Sequence, residues 1–182
     1  MNWKNTTARY GSVTIGLHWL TLVLLIAVYA CVNLTELYEK ESPAQEALMH
    51  WHYMLGLTVL ALVVLRLLNR LVGGSSAVVP PVPLWQQRLA SAVHVALYGL
   101  MVAMPILGWL ILSASGEPIP FFGIQLPALL TANEDLADQL EDVHEVIGTI
   151  GYFLIGAHAL AALFHHYITR DNTLVRMLPG KG

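Results

Sequence analysis

The stretch Val143 to Tyr167, VHEVIGTIGYFLIGAHALAALFHHY, constrains this chain more than any other. It is apolar and long enough to cross a bilayer as a helix, yet it carries four histidines. Ionisable groups inside an apolar span are costly and mark functional positions. His144 and His158 are fourteen residues apart, nearly four helical turns. They leave one face of a helix, offset by roughly 40° and separated by about 21 Å of rise. Gly151 lies midway on that stripe, and Gly148 and Gly156 thin the helix further. Close helix packing in lipid accounts for the glycines but not for the imidazoles.

Charged residues make up 12% of the 182, against about 25% in a soluble domain. The expected fold class is therefore all-α, a single domain over 1–182 built as a four-transmembrane-helix bundle. The apolar runs place the spans at about 12–33, 48–72, 89–112 and 143–167. The run at 12–33 exceeds a signal-peptide core and contains His18 and Trp19, so it reads as a span despite the lipoprotein-like Val28-Tyr29-Ala30-Cys31. A polar arm precedes it and an acidic loop, 34–47, follows. Glycines and prolines in GGSSAVVPPVP, 73–83, stop the second helix and extend the connection. Pro105 is a candidate kink in the third span, and 113–130 reads as a loop. The acidic stretch 133–142 can begin the fourth helix ahead of the membrane. One cysteine excludes an intrachain disulfide, no CxxCH offers c-type haem attachment, and a net charge of −3 argues against nucleic acid. No phosphate-binding or dinucleotide glycine motif occurs.

Four spans put both termini on one side. Lys4, Arg9, Arg66, Arg70, Arg88, Arg170, Arg176 and Lys181, eight of the nine basic residues, then share that side, and only Lys40 faces the other. The positive-inside rule makes both termini cytoplasmic in a multi-pass membrane protein.

That orientation sorts the histidines by depth. His18, His94 and His158 form an inner set; His50, His52 and His144 form an outer set. His165 and His166 stand at the inner end of the last span. Six-coordinate haem b needs two axial ligands, one from each side of the ring. Two layers thus suit two haems b, with His144 paired to His52 or His50, and His158 to His18 or His94. His50 and His52 point to roughly opposite faces, so only one can look inward. A histidine-lined metal transporter is the competing use of these residues, but such a site gathers its ligands at one depth.

GLHWL in the first span, WHYMLGLTVLALVVLRLLNR, HVALYGLMVAMPILGW, HEVIGTIGYFLIGAHALAALFHHY and the closing DNTLVRMLPG together resemble bacterial cytochrome b561. The resemblance covers nearly the whole chain. It implies a dihaem b membrane electron carrier of the superoxide oxidase type, oxidising superoxide on the periplasmic side and reducing ubiquinone. It assigns His18 and His158 to the inner haem iron, His52 and His144 to the outer one, and His165 to the neighbourhood of the quinone. His94 and His166 match family positions other than iron ligands.

The outer side carries eleven acids against Lys40, and EDLADQLEDV precedes His144. Such a field repels an anion, where a basic funnel would gather superoxide. An acidic face suits a basic soluble donor. The alternative is accordingly a cytochrome b anchor subunit carrying electrons between quinone and a partner dehydrogenase or hydrogenase. Expected partners are membrane lipid, quinone, and either superoxide or a soluble electron donor.

Overall fold

A computed structural model describes residues 3, 5–6, 9–74 and 76–179. Lys4 and Lys181 of the charge count lie outside the described residues. Four helices are long and apolar enough to cross a membrane: α1 (Ser12–Thr35), α2 (Pro43–Gly73), α3 (Leu84–Ala114) and α4 (Glu134–Phe164). A π-helical turn, His165–Thr169, continues α4, and a short 3-10 turn, Val175–Met177, ends the tail. In the most apolar windows only 11–22% of residues are buried, so apolar side chains face outward. Val72 is 92% and Phe153 75% exposed, which water would penalise and lipid accepts.

Three helices begin earlier than their apolar runs. At α2, Pro43 supplies a preset φ where a missing N–H costs nothing. Ser42 Oγ accepts from the Gln45 N–H at 3.3 Å, and Gln45 Oε1 accepts from the Glu41 N–H. At α4, Asn133 Oδ1 caps the Leu136 N–H at 3.1 Å, and Glu134 and Asp135 complement the helix dipole. The acidic stretch after residue 133 is therefore helical, as its composition allows. α3 starts at Leu84, directly after Pro83, and runs on through Pro105.

The connection expected to be a loop at 113–130 contains a two-stranded antiparallel hairpin, β1 (Ile119–Phe121) and β2 (Ile124–Leu126). Phe122 and Gly123 both take positive φ, 45° and 89°, the signs of a two-residue primed turn.

The chain divides into two compact units. One comprises 21–63 and 100–149. Its core sets Leu57, Leu112 and Ile119 against Tyr53, Trp109, Phe121 and Leu126, so the hairpin is anchored on α2 and α3. Ser113 Oγ accepts from the Leu129 N–H and donates to the Trp109 carbonyl, fastening the loop. The other unit comprises 1–20, 64–99 and 150–182. There the tail is tied down by the Trp19 indole N–H on the Met177 carbonyl at 2.7 Å and by Arg9 on the Leu178 carbonyl. Asn172 exchanges hydrogen bonds with the Val79 backbone.

Candidate haem-binding sites

In the unit of 21–63 and 100–149, α2 carries His50 and His52 half a turn apart. His50 is exposed, and its Nδ1 hydrogen-bonds the Glu46 carbonyl of its own helix at 2.9 Å. His52 points the other way. Its Nδ1 lies 3.1 Å from the Val28 carbonyl on α1, a fixed acceptor, so Nδ1 donates and Nε2 keeps its lone pair. The His52 and His144 rings are 6.2 Å apart between centroids. His144 Nδ1 is enclosed and has no hydrogen-bond partner among the described residues. Buried polar atoms are rarely left so, and a ligand is one reason. Gly108 on α3 passes close to His144, with room for a Cβ at 3.6 Å from its Cε1. Gly56, one turn beyond His52, would carry a Cβ with nothing within 4 Å.

In the other unit, α4 presents His158 to both His18 and His94. The His18 and His158 centroids are 6.3 Å apart, those of His94 and His158 5.4 Å. Arg66 Nη2 donates to His18 Nδ1 at 3.3 Å, which leaves that ring's proton on Nε2, so haem ligation through Nε2 would have to displace this contact; Arg66 and Arg70 both lie over the Tyr98 ring, at 5.6 and 5.8 Å.

These distances test the fit to an iron with trans imidazoles. Two metal–nitrogen bonds of about 2.0–2.1 Å, plus roughly 1.1 Å from each nitrogen to its ring centre, separate the centroids by about 6.3 Å. His52 with His144, and His18 with His158, lie at about that separation, and His94 lies closer to His158. Among the described residues no three His, Cys, Asp or Glu side chains converge on one point that could hold a bare metal ion. His52 meets His144, while His158 meets both His18 and His94.

The model for prokaryotic cytochrome b561 matches residues 9–180. The chain belongs to that family. Relatives include "Cytochrome b561 homolog 1" of Escherichia coli, 39% identical over 94% of this chain and 97% of its own length. "Probable superoxide oxidase CybB" of Yersinia pestis is 37% identical over 95% and 97%, and "Cytochrome b561 homolog 2" of Escherichia coli 32% over 98% and 95%. Family membership implies haem b and electron transport. Together with four spanning helices it makes this cytochrome b561 a multi-pass inner-membrane protein.

At the end of α4, His165 Nδ1 is 2.5 Å from Asp171 Oδ2, while the His166 ring packs on Tyr167. Nothing in the sequence singles out Asp171 as a partner of His165. A carboxylate six residues beyond a histidine fits no helical spacing, so only the fold of the turn brings the two together.

Proposed function

We propose that the chain is a dihaem b superoxide:quinone oxidoreductase, with both termini cytoplasmic. His18 and His158 hold the inner haem, and His52 and His144 the outer one. The observation that carries this reading is that His18 faces His158 and His52 faces His144, with ring centroids 6.3 and 6.2 Å apart, so that each pair would hold a haem. The relative named a superoxide oxidase supports the choice of substrate.

Haem b held by these histidines would supply reversible one-electron chemistry. The Val28 carbonyl fixes the tautomer of His52, so that side chain meets a ligand through Nε2 without reorienting. Arg66 and Arg70 place positive charge beside Tyr98 and His18, where carboxylate groups of a bound cofactor gain a partner. In the net reaction two superoxide anions give one electron each and leave as dioxygen. Ubiquinone takes both electrons and two protons, with His165 beside it at the inner membrane edge.

A second reading is an anchor subunit passing electrons between quinone and a soluble dehydrogenase or hydrogenase. Eleven acids on the outer side favour it, because they repel an anion and attract a basic protein. Mixing the purified protein with superoxide and ubiquinone separates the two. Quinol formation above the uncatalysed rate supports the oxidase. Formation at the uncatalysed rate only, from protein with full haem content, removes it.

A further inference from the structure

α4 does not simply stop. Its last turn opens into a π-helix at His165–Thr169, and Arg170 then takes a left-handed conformation, φ 57° and ψ 36°. Neither choice is free: π turns are rare and are often found at functional sites, and an arginine in the left-handed region is strained. Together they fold the chain back so that the Asp171 N–H meets the His165 carbonyl at 3.2 Å and its carboxylate meets the His165 ring. The Asp171 side chain is 0% exposed, that of His165 19%. The second carboxylate oxygen accepts from the Thr173 N–H at 2.8 Å, so the group is held at both ends. Among the described residues this is the one ion-pair geometry, and no partner engages His165 Nε2.

We propose that Asp171 is a positioning residue for His165: it confines proton exchange to Nε2, which hands a proton to a carbonyl oxygen of a bound quinone. This rests on the placement of the quinone beside His165. A carboxylate accepts only, so the Nδ1 proton stays in place whether Nε2 is protonated or not. Nε2 is then the single atom through which the ring gains and loses a proton. Quinone reduction consumes two electrons, delivered by the cytochrome, and two protons. One O–H bond forms with the Nε2 proton, which water replaces; the proton for the other oxygen comes from water.

The test uses the full-length, haem-loaded protein in lipid nanodiscs. Nitrogen-15 NMR of histidine-labelled, reduced protein, with His165 assigned through His165→Gln, reads the tautomer without any turnover. We expect a strongly deshielded Nδ1–H in the wild type and its loss in Asp171→Asn. The second measurement starts from chemically reduced protein and follows its reoxidation by a ubiquinone analogue, independently of any donor. At equal haem content, Asp171→Asn should lower the saturating rate about tenfold or more and change the half-saturating quinone concentration less than about twofold. A wild-type His165 protonated at Nε2 and bare at Nδ1 overturns the proposal, and this result does not depend on Asp171→Asn folding. An Asp171→Asn protein as fast as wild type, when His165→Gln is slow, overturns it and leaves the quinone beside His165. If His165→Gln is also as fast as wild type, the quinone placement falls and the proposal with it.

Discussion

His52 Nδ1 lies 3.1 Å from the Val28 carbonyl oxygen, across from α2 to α1. That contact separates His52 from His50, whose Nδ1 bonds its own helix and whose side chain is exposed. Removing His52 should take the haem-to-protein ratio from two to one. Removing His50 should leave it at two. A pyridine haemochrome assay on His52→Ala and His50→Ala reads both, and the reverse pattern would reassign the ligand.

Gly56 stands one turn along α2 from His52, with open space where a side chain would project. If a porphyrin face lies there, Gly56→Ala should be tolerated and Gly56→Leu should lose one haem while the protein still inserts. Retention of both haems by Gly56→Leu would mean that the space faces lipid.

Arg66 places a guanidinium 3.3 Å from His18. If His18 holds a haem, a positive charge beside it favours the reduced metal. Arg66→Gln should lower the midpoint potential of one haem by about 60 mV, the one-electron equivalent of 1.4 kcal/mol, and leave the other unchanged. A redox titration resolves the two; equal shifts in both would remove the local assignment.

Burial pushes the Asp171 carboxyl up, but hydrogen bonds from Thr173 and His165 outweigh it and hold the group below its ordinary 3.8. A carboxyl lowered in the folded state adds stability above its unfolded pKa and loses it as pH falls through the folded value. The tail held by Trp19 and Asn172 should therefore resist exchange near neutrality and loosen below about pH 4. Hydrogen exchange over 171–178 checks this. In Asp171→Asn the same segment should exchange faster near neutrality, and that acid-dependent step should disappear.

The four spans were legible because lipid demands long apolar runs and little else in the chain competes with them. Helix starts were less so. Ser42–Pro43 is a cap that apolar length does not reveal, whereas the acidic composition of 133–142 already allowed the early start of α4. The hairpin at 119–126 escaped because each strand is three residues and its turn, Phe122-Gly123, lacks the Asn-Gly or Asp-Gly signature. The fourteen-residue spacing of His144 and His158 needed only helical geometry. Helical periodicity could say that His50 and His52 diverge, but not which faces inward; that depends on where the Val28 carbonyl lies. The Asp171–His165 contact depends on a π turn and a left-handed arginine, and local sequence announces neither.

In the proposed reading α4 grips two haems b, one at His144 and one at His158. The direct measurement is the haem-to-protein ratio and reduced spectrum of the wild type, His144→Ala and His158→Ala, expressed with ample porphyrin. The account predicts two low-spin haems b in the wild type and one in each variant, the two survivors differing in midpoint potential. A wild type with one haem or none, or a variant that keeps both, would contradict it.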